Sequence, residues 1–117
     1  MREIKFRAWH KNRKTFLDFY WAVDKLGRTF SILDKYVYDE FTDEIELMQY
    51  TGLKDMNGVE IYEGDVVRFD TNVQILESEV TYCHGMFTIK KYGEKIPLFT
   101  GLKVIGNRFE NPELLEG

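Results

Sequence analysis

The run LMQYTGLKDMNGVEIYEGDVV (residues 47–67) sets a glycine at Gly52, Gly58 and Gly64 within otherwise β-forming sequence. Glycine reaches positive φ at no steric cost, so each is a place where the chain can turn or bend. Thr51-Gly52 directly follows a strand pattern. Asn57-Gly58 tolerates two successive positive φ values and predicts a tight reversal. Glu63-Gly64-Asp65 predicts a further corner before VVRF opens a new strand. Only short strands fit between such corners, so the stretch reads as a series of turns rather than a ligand loop.

The rest of the chain agrees. Val, Ile, Thr, Phe, Tyr and Trp make up 42 of the 117 residues, whereas alanine, the best helix former, occurs twice. In REIKFRAW (2–9), Ile4, Phe6 and Ala8 share one strand face and Glu3, Lys5, Arg7 and Trp9 the other. HKNRK is a polar turn and TFLDFYW (15–21) the returning strand of a hairpin. DKLG (24–27) is another turn and RTFSIL (28–33) another strand. Residues 34–46 read as an acidic connection with one helical turn, since Val37, Phe41 and Ile45 recur every four residues. Strands are then predicted at 45–50, 65–70, 73–82, 86–92, 96–99 and 102–109, with turns at CHG, YGEK and TG. A bulge within 73–82 would turn both Leu76, Val80 and Tyr82 and the opposite-parity Val73 and Ile75 to the core. NPELL predicts a single helical turn with Asn111 as N-cap and Pro112 at the first position. The aromatics Trp21, Tyr50, Tyr62, Phe69, Tyr82 and Phe109 are expected to fill cores rather than form a stacking surface.

The expected architecture is mainly β: N-terminal β-hairpins, then a small, partly open β-barrel of SH3-like kind in the C-terminal half. It forms a single domain over residues 1–117, with a hairpin region at 1–50 and a turn-rich, barrel-like region at 51–117. No apolar run approaches the roughly 18 residues of a membrane helix, and MREIKFRAWHKNRK carries charge where a signal peptide needs apolar sequence. The lone Cys83 fits a reducing interior. A cytoplasmic protein with no membrane partner is therefore expected.

Charge is unevenly spread. Residues 1–35 hold nine Lys/Arg against four Asp/Glu, and residues 36–117 hold seven against sixteen, within a net −4. Such polarity suits head-to-tail contact between copies, or nucleic-acid contact at the basic end. The first 14 residues present Lys5, Arg7, Lys11, Arg13 and Lys14, with Trp9 on the strand face of Lys5 and Arg7. Cations beside an exposed aromatic can hold phosphate and stack a base, so these six residues are the candidate interaction surface. Against nucleic acid stands the acidic balance of the whole chain.

Other chemistry finds little support. Cys83 and His84 are adjacent and would point to opposite faces of a strand, and His10 is the only other histidine, so no zinc spacing exists. A calcium loop begun at Asp55 fails, with Val59 at its fifth position and Glu60 at its sixth. No G-x-S-x-G, P-loop or G-x-G-x-x-G occurs. Glu60, Glu63 and Asp65 could do acid–base work, but they sit at turns where charge serves solubility.

Three stretches, IKFRAW (4–9), MQYTGLKDMNGVEIYEGDVV (48–67) and VIGNRFENPELL (104–115), resemble the signature segments of the YopX family, small proteins encoded by bacteriophages and prophages. The blocks fall at the start, middle and end of the chain. The resemblance implies a mostly β fold with a barrel-like C-terminal part and supplies no catalytic residues. The family often has an acid after RAW, where this chain has His10. The expectation is a non-catalytic phage or prophage accessory protein of the bacterial host cytoplasm, without a cofactor. It would act as a macromolecular interaction module that binds a protein partner or copies of itself. The alternative is nucleic-acid binding through the basic hairpin.

Overall fold

A computed structural model describes residues 3–18, 20–33, 36–71, 73–91 and 93–115. Expectations placed on Arg2, Phe19, Asp34, Lys35 and Tyr92 lie outside the described residues. The fold is mainly β, and the chain divides into two compact units, Phe6–Met48 and Met1–Lys5 with Gln49–Gly117.

In the first unit, β1 (Phe6–His10) and β2 (Thr15–Phe16) form a hairpin with Trp9 opposite Phe16 and His10 opposite Thr15. His10 closes its loop: its carbonyl accepts the Lys14 N–H at 2.8 Å and its Nδ1 accepts the Arg13 N–H at 3.1 Å. The buried ring then presents Nε2 to Glu44 Oε2 at 3.2 Å. A meander follows of β3 (Trp21–Val23), β4 (Thr29–Leu33) and β5 (Tyr36–Glu40). Asp24 holds its first turn, with Oδ1 accepting the N–H groups of Leu26 and Arg28 and Oδ2 bonding Arg28 Nε. Burial pushes the Asp24 carboxyl up, but these bonds and the Arg28 charge outweigh it and hold the pKa below the ordinary carboxylate range. A short 3₁₀ helix, Thr42–Glu44, leads into β6 (Ile45–Lys54), which ends in the second unit.

Three expectations fail here. Ile4 and Phe6 are exposed while Ala8, Trp9 and His10 are all buried. The strand begins only at Phe6, and near its end both faces are covered, so one-sided alternation does not hold. TFLDFYW is not one strand, since β2 stops at Phe16 and β3 starts at Trp21. The acidic connection has its expected helical turn, at Thr42–Glu44, but also contains β5, because its β-forming sequence finds β4 as a ladder partner.

The second unit contains β7 (Glu60–Tyr62), β8 (Asp65–Asp70), β9 (Ile75–Glu79), β10 (Thr81–Cys83), β11 (Met86–Lys91), β12 (Glu94–Pro97) and β13 (Lys103–Asn107). Two three-stranded sheets result, in the orders β13-β8-β9 and β10-β11-β12. The predicted strand 73–82 breaks at the fully buried Val80. Its N–H bonds Asp65 O and its carbonyl accepts the Gly64 N–H, both at 2.8 Å, so the chain passes from one sheet to the next at a fixed corner. The Lys90 N–H also reaches Ser78 Oγ at 2.8 Å, linking β11 to β9. The curled result is the partly open barrel.

The expected bulge in 73–82 is absent: β8 and β9 pair in unbroken register from Val66↔Glu79 to Asp70↔Ile75. Val73 and Ile75 are accordingly exposed, at 93% and 54%. Irregular register occurs instead between Val104 and Gly106, and between Tyr50 and Lys54 around Gly52. The core packs Ile61, Val67, Val80, Ile89 and Leu102 against Phe69, Phe87, Phe99 and their neighbours. Each of these aliphatic side chains that is fully buried contributes about 1.5–3 kcal/mol relative to exposure. Phe69 and Phe99 meet edge to face at 5.4 Å. Tyr50 is buried and Trp21, Tyr62 and Phe109 are partly so, but Tyr82 is 56% exposed, contrary to expectation. Among the described residues, no helix is long and apolar enough to cross a membrane.

Candidate functional site

The six N-terminal candidates divide into residues engaged by their own chain and exposed loop cations. Lys5 Nζ lies 2.6 Å from Glu60 Oε2 and 3.2 Å from Glu3 Oε1, and 5.7 Å from the Tyr50 ring centre. The hydrogen bond to Glu60, then that to Glu3, raises the Lys5 pKa above the ordinary lysine value, so the ammonium stays charged and locally neutralised. Arg7 donates from Nε to Met48 Sδ at 3.4 Å, and its guanidinium lies 4.9 Å over the Phe16 ring. Trp9 meets the same ring edge to face at 5.0 Å and is only 6% exposed. The hairpin thus brings Arg7 and Trp9 together on Phe16, and Trp9 has no free face for a base. Lys11 pairs with Glu46 at 3.7 Å. Arg13 and Lys14 are exposed in the hairpin loop.

Two of the three acids singled out in the central stretch, Glu60 and Asp65, are engaged within the chain. Glu60 is engaged by Lys5. Asp65, 2% exposed, accepts the Tyr62 N–H on Oδ2 at 2.8 Å and so closes the corner at Gly64. Gly64 has φ 88°, donates to Val80 O and accepts from the Arg108 N–H, so a side chain there would be strained inside a doubly tied corner. Cys83 is half-buried and His84 is exposed beside it. Among the described residues, no group of three or more His, Cys, Asp or Glu side chains is placed to hold a metal ion.

Two buried polar residues organise the unit, and sequence reasoning missed both roles. Asp55 accepts the N–H groups of Asn57 and Val59 on Oδ1, at 2.8 and 2.9 Å, and of Val104 on Oδ2, at 3.0 Å. Burial pushes this carboxyl up, but the bonds from Val104, Val59 and Asn57 and the Lys103 charge outweigh it, leaving the pKa below the ordinary value. Asn107 accepts from the Phe109 and Glu110 N–H groups on Oδ1, at 3.0 and 2.8 Å, and donates from Nδ2 to Glu110. Asn111 points back, its Oδ1 accepting the Asn107 N–H at 3.2 Å rather than an N–H of the short 3₁₀ helix Pro112–Leu115 that it was predicted to cap. Asp or Asn two residues before a turn amide is the available sequence signal.

These contacts join the central and final signature stretches. β8 and β13 pair Val67 with Val104, Val66 with Gly106 and Asp65 with Asn107, and Asp55 spans the two stretches. A partly open barrel cornered by buried carboxylate and amide clamps defines the class: a small, mainly β protein. The model of the family described as YopX protein matches residues 5–116, and the chain belongs to the YopX family. It is similar to the crystal structure of protein EF1440 from Enterococcus faecalis, with 28% identity, a TM-score of 0.71, and 99% of this chain and 100% of that chain covered. The fold is also that of protein yopX from Bacillus subtilis, at 20% identity, a TM-score of 0.67, and again 99% and 100% coverage. No curated protein matches the chain.

Proposed function

We propose that the chain is a non-catalytic interaction module that binds another macromolecule, either a protein partner or further copies of itself. In this reading it serves as a phage or prophage accessory protein in the bacterial cytoplasm. The observation that supports it is the allocation of side chains. Asp55 and Asp65 in the signature hold backbone, and Lys5, Arg7 and Trp9 are engaged by their own chain. Large apolar side chains, Val73, Ile75, Tyr82 and Met86, are left exposed on the barrel unit. The nucleic-acid alternative loses its stacking residue with Trp9 and keeps Arg13 and Lys14 as its exposed loop cations.

Sedimentation equilibrium over a wide concentration range, at about 50 and 200 mM salt, tests self-association. A mass above the monomer that ignores salt would point to apolar contact, and one that falls with salt to contact between the basic and acidic segments. A monomer throughout would leave a separate protein as the partner. Labelled DNA and RNA are expected to show no anisotropy change at the lower salt. Steeply salt-dependent binding, lost in Arg13→Glu/Lys14→Glu, would replace this reading with the nucleic-acid one. Turnover that requires Mg²⁺ or Mn²⁺ would replace both.

A further inference from the structure

The barrel sets two lysines opposite each other, with no ion pair to either among the described residues, where its own energetics disfavour such a pair. β11 and β12 place Lys90 directly opposite Lys95, and Ile89 opposite Ile96. Ile89 is in the core, so Lys90 and Lys95 share the outer face, and both are exposed. Like charges directly opposite on an antiparallel pair destabilise it. On the other face the same two strands set Lys91 against Glu94, an opposite-charge pair.

The paired lysines line a groove of about 310 Å³ with Ser78, Glu79, Thr81 and Leu115. Glu79 does not neutralise them through the contact it makes, which is with Arg108 Nη1 at 3.6 Å. Thr81 and Thr88 bond each other through their hydroxyls at 3.1 Å, and Ser78 Oγ is held by the Lys90 N–H. The groove is therefore lined by two lysine side chains from facing strands, by hydroxyl groups already bonded within the chain, and by one apolar side chain, Leu115.

We infer that this groove binds an acidic peptide segment of a protein partner, with carboxylates seated between Lys90 and Lys95. The inference rests on the reading of the chain as an interaction module and names the chemistry of its partner. Charge complementarity argues for the occupant, because two carboxylates convert the cross-strand repulsion into attraction. A nucleic-acid backbone fits less well. It is gripped by a track of several cations, whereas this groove has two, beside Glu79 and in the acidic part of the chain.

The test uses the whole protein with fluorescein-labelled hexaglutamate, its hexaglutamine counterpart and a labelled oligothymidylate. Hexaglutamate is expected to bind and to weaken with salt, and hexaglutamine not to bind. Lys90→Glu/Lys95→Glu should weaken hexaglutamate by about tenfold or more. The double variant keeps a like-charge pair of opposite sign, so its Tm should stay near that of the parent. Lys95→Glu alone creates an opposite-charge pair and should raise Tm by a few degrees. No binding of hexaglutamate, or binding indifferent to the double reversal, would overturn the inference while leaving the interaction-module reading standing. Oligothymidylate binding lost on the same reversal would overturn it in favour of nucleic acid. A lower Tm for Lys95→Glu would remove its premise that the pair is held against its own repulsion.

Discussion

Asp55→Ala should lower the unfolding free energy by about 3 kcal/mol or more, the largest effect expected of any single polar substitution here. One carboxylate serves three main-chain donors: Asn57 and Val59 in its own turn, and Val104 in β13. The residue is 7% exposed, so those donors are poorly placed to recover water. An unsatisfied buried donor costs about 1–3 kcal/mol, and bonds to an ionised acceptor are stronger than neutral ones. The three losses will not add in full, because the turn can relax once its clamp is gone. Asp55→Asn is the informative companion. Its carbonyl can still accept from Asn57 and Val59, but its NH₂ then faces the Val104 N–H. A loss of about 2 kcal/mol is expected, intermediate between parent and alanine. Urea unfolding of the three proteins makes the comparison, and an Asp55→Ala protein within about 0.5 kcal/mol of the parent would remove Asp55 as a clamp.

Gly106→Ala is the second large effect, and it runs against the general trend. Replacing glycine by alanine where the backbone permits usually stabilises by about 0.4–1 kcal/mol through the unfolded chain. At Gly106 a Cβ would stand 2.5 Å from Asn111 Oδ1, 2.8 Å from Asn111 Cγ and 2.9 Å from Leu114 Cδ1. Asn111 cannot simply withdraw, because its Oδ1 accepts the Asn107 N–H. Relief therefore requires either breaking that bond or displacing the final turn from β13. Such overpacking costs about 1–3 kcal/mol, so a net loss of about 2 kcal/mol and a lower Tm are expected. A raised Tm for Gly106→Ala would show that Asn111 and Leu114 give way freely.

Much of this architecture was legible in the chain. Glycines 52, 58 and 64 all take positive φ, at 87°, 82° and 88°, and each marks a turn or bend. The succession of short strands after Gly64 reads directly as a curled, barrel-like sheet. The clearest failure comes from contact between residues far apart in sequence. The break at Val80 comes from bonds to Gly64 and Asp65, which no local pattern in 73–82 reveals. The tight reversal expected at Asn57-Gly58 is present with a positive φ at Gly58 alone, and locally the Asp55 carboxylate accepts the Asn57 N–H.

The candidate surface was less legible than the fold. Lys5, Arg7 and Trp9 look like a cationic, aromatic face in sequence. Their partners, Glu60, Met48 and Phe16, come from elsewhere in the chain and cover or neutralise them. The pair Lys90 and Lys95 shows the converse. Five residues apart across a turn, they become opposed only once the register of β11 and β12 is known. Asp55 lies between these cases: its local turn follows from Asp before Asn-Gly, but its bond to Val104 reaches across 49 residues.

The central claim is that the buried acids of the central signature, Asp55 and Asp65, hold backbone, and an NMR pH titration of the amides of Asn57, Val59 and Val104 tests it most directly at Asp55. A clamp carboxylate has a folded-state pKa below its unfolded value, as the bonds to Asp55 require. Its contribution to stability is then complete above about pH 3.9 and is lost as pH falls through the folded value. The three amides should therefore shift together, with one midpoint below the ordinary aspartate value. A midpoint raised above it, as in an acid kept protonated for proton transfer, would contradict the clamp and reopen a catalytic reading of the central stretch.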